Sequence, residues 1–165
     1  MISHLLKKIF IYFLIMLVVI LNHIPMHYTL DILYPNLLFL IVFFFELSEG
    51  EKLSKIFLIF CGLLNDYLES SLIGLTSLQL IILSFLMSKN MKALEEQKFG
   101  ITWAAFTVLI FIVYALKIII LSIFYKTSLF SVRLLLELCL TVTFYPPAHF
   151  ALTKIFYFRR KYNAR

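Results

Sequence analysis

The chain has 165 residues, 62% of them hydrophobic, and a mean hydropathy of +0.98. Soluble domains lie nearer half apolar, so this composition places the chain in lipid. The formal net charge of +6 is divided among short segments with no basic stripe. That excludes a nucleic-acid footprint and leaves membrane orientation and attraction to anionic lipid as its meaning.

Six apolar stretches are predicted as membrane spans, at residues 9–24, 30–45, 53–68, 72–87, 101–125 and 132–158. Spans of about 20 residues each leave no room for a separate soluble domain, so residues 1–165 read as one integral-membrane domain. Lys7 and Lys8 precede the first span like the start of a signal peptide. No pair of small residues follows at cleavage-site spacing in Asn22-His23-Ile24-Pro25-Met26, so the segment reads as a retained anchor.

Basic residues alternate with the connections. Lys7 and Lys8, then Lys52 and Lys55, then Lys89, Lys92 and Lys98, then Lys154, Arg159, Arg160, Lys161 and Arg165 lie on one side. Lys126 alone lies on the other, while Lys117 and Arg133 fall inside apolar runs. Cytoplasmic segments retain Lys and Arg, so both termini are expected in the cytoplasm.

The connection at 23–34 carries Asp31 as its only charge. His23 and His27 are four apart there, but Pro25 breaks the helical spacing a metal pair needs and no acidic or thiol ligand stands beside them. Pro35 opens the second span, where a missing N–H costs little. Residues 46–55 read as a loop with Glu46, Glu49 and Glu51, and 88–100 as a solvated loop with at most a helical turn. Cys61 and Cys139 both fall in apolar runs and form no disulfide framework. Pro146 and Pro147, midway through the last span, predict a kink or break, because each removes a helix N–H and crowds the preceding turn. His149, alone in that span, reads as a packed residue.

Four ionisable residues sit within or against the outer half of the bilayer: Asp66, Lys117, Arg133 and Glu137. Charges there pair or face a cavity. Arg133 and Glu137 share a helix face and can pair, with Lys117 reaching them from the neighbouring span. This cluster is the candidate partner-binding or intramembrane polar site. The other polar span residues are Asn65, Thr76, Ser77, Gln79, Ser84, Thr107, Thr141 and Thr143. No nucleophile elbow, phosphate-cradling glycine loop or HExxH pattern occurs, so no catalytic residue, metal or cofactor is assigned.

Residues 62–78 form the most distinctive segment. Gly62 lets two helices approach closely, Asp66 ends one span, Ser70 or Ser71 is expected to cap the next, and Gly74 is expected to pack closely just inside it. The pattern of Gly62, Leu63, Leu64 and Asp66, then Ser71, Gly74 and Leu75, resembles the rod shape-determining MreD family. Tyr34-Pro35-Asn36-Leu37-Leu38 resembles the start of that family's second span, and Tyr145-Pro146 the proline of its last. Leu72 and Asn36 depart from the family pattern, Asn36 standing where the family has an acid. The resemblance implies an all-α bundle similar to the S components of energy-coupling-factor transporters. It also implies a non-catalytic scaffold for cell shape and peptidoglycan synthesis in the bacterial inner membrane. The implied partners are the single-span MreC, the actin-like MreB and the RodA–penicillin-binding-protein-2 synthase. The alternative is a vitamin-binding S component, although a small-molecule ligand is not expected.

Overall fold

The computed structural model describes residues 2–22, 35–48, 53–95, 98–126 and 132–162. They form six helices: α1 (Ile2–Leu21), α2 (Leu37–Ser48), α3 (Lys55–Glu69), α4 (Leu75–Glu95), α5 (Phe99–Tyr125) and α6 (Val132–Tyr162). On α1, Ile11, Ile15, Val18 and Val19 face inward while Ile9, Phe13, Leu17 and Ile20 face out. Both stripes follow helical spacing and both are apolar. A water-soluble helix would carry charge on its outer face. The same apolar exterior continues on α3 (Ile56, Phe60, Leu63), α5 (Val108, Phe111, Ile119) and α6 (Val132, Phe144, Phe150). Lipid is the solvent that suits such a surface.

α2 is different. Every side chain from Leu38 to Leu47 is buried. It packs against α1, α4 and α6. Its 12 residues rise about 18 Å, less than a hydrocarbon core of about 30 Å. A helix enclosed by protein need not match the bilayer, because its ends meet other chain segments and not acyl tails. The predicted second span is therefore displaced toward the C-terminus. Pro35 lies two residues ahead of its first turn, and residues 23–34, with His23 and His27, lie outside the described residues.

Two further boundaries differ from the sequence reading. Glu46, expected in a loop, is inside α2 and fully buried, where its Oε1 accepts a 2.7 Å hydrogen bond from Ser84 of α4. Most of the loop expected at 88–100 is helix, since α4 runs on to Glu95 and α5 starts at Phe99. Nothing between Ser88 and Glu95 is a helix breaker, so polarity alone misplaced that end. α5 and the 134–154 stretch of α6 are long and apolar enough to cross a membrane unaided.

Ring packing joins α2, α5 and α6. Tyr145 stacks on Phe106 at 4.4 Å, and Phe43 meets both rings edge-on at 4.9 and 5.6 Å. His149 lies within this group, 5.2 Å from Phe99, with its Nδ1 3.4 Å from the Tyr145 hydroxyl. Offset and edge-on geometries of this kind satisfy the ring quadrupoles. Where lipid tails are as apolar as leucine, such contact is what holds helices together.

α6 continues unbroken through Pro146 and Pro147. The predicted break is absent. Pro146 has no N–H for the carbonyl of Val142, and the Trp103 indole of α5 supplies one instead, at 3.1 Å. Of the two cysteines, Cys61 is buried and Cys139 is exposed on α6, both as free thiols.

Candidate functional site

The α3–α4 turn organises one end of the bundle. Gly62 faces Ser77 so closely that a Cβ would lie 2.4 Å from the Ser77 Cα and backbone N. Only glycine admits that approach. The Ser77 hydroxyl uses the proximity to donate to the Ile59 carbonyl at 2.9 Å. α3 ends with Ser70 in the left-handed region at φ 54°, and Ser71 donates its N–H back to the Asp66 carbonyl at 3.1 Å.

Asp66 is the cap of α4. Its carboxylate accepts from the backbone N–H of Gly74 at 2.8 Å and of Thr76 at 3.1 Å, and from the Ser71 hydroxyl at 3.2 Å. A helix start leaves N–H groups without partners and carries partial positive charge, so a carboxylate suits it on both counts. The expected cap by Ser70 or Ser71 is thus corrected. Ser70 closes α3, and Ser71 orients the aspartate. Gly74 is corrected as well. It has φ +94° and nothing within 4 Å of a built Cβ. It serves the left-handed conformation that turns the chain into α4, not close packing.

Lys117 of α5 is 6% exposed and pairs with Glu69 of α3 at 3.7 Å, with its Nζ also 6.0 Å from the Tyr114 ring centre. The expected reach toward Glu137 is replaced by this pair. The side chain of Arg133 lies outside the described residues. Glu137 instead accepts the Tyr114 hydroxyl at 2.7 Å and the Asn36 side-chain amide at 3.4 Å. Asn36 also donates its backbone N–H to Thr141 at 2.9 Å, which ties the start of α2 to α6. Asn65, buried beside Asp66, donates to Glu69 and Thr76, each at 3.5 Å. Glu69, Asn65 and Tyr114 were absent from the candidate cluster. Glu69 stands three residues after Asp66 and four after Asn65, and Tyr114 three before Lys117, so helical spacing points to them.

The three described candidates, Asp66, Lys117 and Glu137, therefore have separate primary partners. Asp66 completes a turn, Lys117 joins α5 to α3, and Glu137 joins α6 to α5 and α2. Each of the remaining polar span residues is bonded within the bundle too. Gln79 donates to the Val113 carbonyl at 3.0 Å, linking α4 to α5. Thr107, Thr141 and Thr143 each return a hydroxyl to the carbonyl four residues earlier, a habit of membrane helices. Among the described residues no group of three or more His, Cys, Asp or Glu could hold a metal ion.

An all-helical bundle with an apolar exterior, whose buried polar side chains bond chiefly within the bundle, is a polytopic membrane protein. The family model described as rod shape-determining protein MreD matches residues 3–155, and the chain belongs to that family. No curated protein and no solved structure matches it, so the likeness to S components rests on the resemblance alone. Membership makes it a non-catalytic, rod-shape-determining membrane protein of the elongation machinery.

Proposed function

We propose that the chain is a scaffold that binds MreC and, with it, holds the RodA–penicillin-binding-protein-2 synthase and MreB in one peptidoglycan-synthesis assembly. The observation that carries a scaffold over a vitamin-binding S component is the state of its polar groups. A ligand site needs polar groups converging on a cavity. Here Thr76, Ser77, Gln79, Ser84, Thr107, Lys117, Glu137, Thr141 and Thr143 all have partners inside the bundle, as does the amide nitrogen of Asn65. The buried Oδ1 atoms of Asn36 and Asn65 lack one among the described residues, without converging on a cavity with the others.

The contact with MreC belongs, on this reading, at the α3–α4 turn end, with both termini cytoplasmic and that end outside. A single-span partner leaves the membrane at the same depth. Glu69, with its side chain 39% exposed, is the charge offered there, beside the outward ring of Tyr67. Interhelical polar contacts in membranes average about 0.6 kcal/mol, so charge sets register while apolar packing supplies the affinity. The test is co-purification from detergent with tagged protein. MreC is expected with wild type and, per unit of tagged protein recovered, reduced with Glu69→Gln, whose loss of the Lys117 pair lowers abundance separately. Wild-type protein that retains a vitamin-like ligand and no MreC refutes the scaffold.

A further inference from the structure

We propose that Trp103 is a clasp across a proline hinge in α6, so that one inter-helix hydrogen bond sets whether the C-terminal half of that helix stays in line. The inference does not depend on the scaffold reading.

Pro146 cannot donate to the Val142 carbonyl one turn earlier, and Pro147 leaves the Thr143 carbonyl in the same state. Two adjacent losses on one turn make a point of easy bending, because the backbone there lacks the bonds that resist it. α6 nonetheless runs from Val132 to Tyr162 as a single helix. In hydrocarbon a bare carbonyl has no water to turn to, so a neighbouring element must satisfy it or the helix must rearrange. The Trp103 indole N–H, 3.1 Å from the Val142 oxygen, is that neighbour. Trp103 is the only tryptophan of the chain, and no other side chain type matches its reach combined with a single donor and no acceptor.

The clasp sits beside the ring stack. Phe106, one turn after Trp103 on α5, carries Tyr145, the residue before the prolines. In the continuous α6, Tyr145 lies on Phe106 and His149 beside Phe99 and Phe44. Losing the clasp frees Val142, lets α6 bend at 146–147 and draws those rings apart. The hinge thereby governs the angle at which the basic end of α6 leaves the bundle.

The test is a spin-label distance across the hinge in the full chain in lipid nanodiscs. Labels go at Leu136 and Ala151, both exposed, with Cys61 and Cys139 replaced by alanine. Fifteen residues of straight helix separate their backbones by about 22 Å. Wild type is expected to give one narrow distribution, and Trp103→Phe a broader one reaching shorter distances. Trp103→Phe with Pro146→Ala should be narrow again, since alanine restores an in-helix N–H to Val142. If Trp103→Phe does not accumulate, abundance is the readout, and the double variant must restore it. A Trp103→Phe distribution as narrow as wild type, or a double variant no better than the single one, overturns the proposal.

Discussion

Asp66 shows how one residue's role depends on the turn that follows it. Its carboxylate holds Gly74, Thr76 and Ser71 together, so its loss is felt in folding before any contact with a partner. Asp66→Ala is expected to cost about 0.5–2 kcal/mol, the range for a lost helix cap, with Asp66→Asn recovering only part of it, because the amide nitrogen that replaces one accepting oxygen cannot accept the donor it faces. Thermal unfolding in detergent, followed by helicity, measures both. Equal stability of wild type and Asp66→Ala would remove the cap from the account. The two glycines fail differently. At Gly62 an added methyl meets the Ser77 backbone, so Gly62→Ala should cost about 1–3 kcal/mol, as overpacking does. Ser77→Ala cannot rescue it, because the clash includes the Ser77 Cα and N. At Gly74 the space is open, and Gly74→Ala is expected to cost about 1–2 kcal/mol through left-handed backbone strain alone. Rescue of Gly62→Ala by Ser77→Ala would show that the two backbones are not in contact.

At the scale of elements, the ion pair between α3 and α5 is the informative one. Lys117→Glu places two carboxylates where Glu69 and Lys117 now meet at 3.7 Å, and abundance should fall. Glu69→Lys added to it should restore abundance, since the pair is rebuilt with its ends exchanged. The sequence alone suggests Glu137 as the exchange partner, and Glu137→Lys is expected not to rescue. Rescue by Glu137→Lys in place of Glu69→Lys would overturn the assignment. The gain from the rebuilt pair should be modest, about 0.6 kcal/mol on average and no more than about 1.7 kcal/mol, as for other polar contacts between membrane helices. Quantified membrane fractions from cells expressing each variant decide this.

For the whole molecule, the prediction concerns orientation. With six spans alternating in direction, the basic segments are expected at the end opposite the α3–α4 turn. Reporter fusions after Glu69 are expected to read as periplasmic and fusions after Lys92 as cytoplasmic, because Lys and Arg are retained on the inner side. A cytoplasmic reading after Glu69 would invert the bundle and move the proposed contact with MreC to the wrong face.

The chain by itself determined its solvent, its all-helical class, the number of helices and the turn at 70–74. These are local or additive properties: apolar run length, capping types, glycine spacing. It also marked Gly62 as a point of close approach, since a span has few other reasons to carry glycine. Tertiary structure alone decided which polar groups meet. Asn36 and Glu137 are 101 residues apart in the chain, and Lys117 chose Glu69 on α3 over Glu137 on its sequence neighbour. It also decided that α2 is a short, wholly enclosed helix with Glu46 inside it, because enclosure is a property of the neighbours. The prolines make the point most directly. A kink or break in α6 was the local expectation, and the continuity of the helix was not, because the donor that meets the Val142 carbonyl sits on α5, 39 residues away.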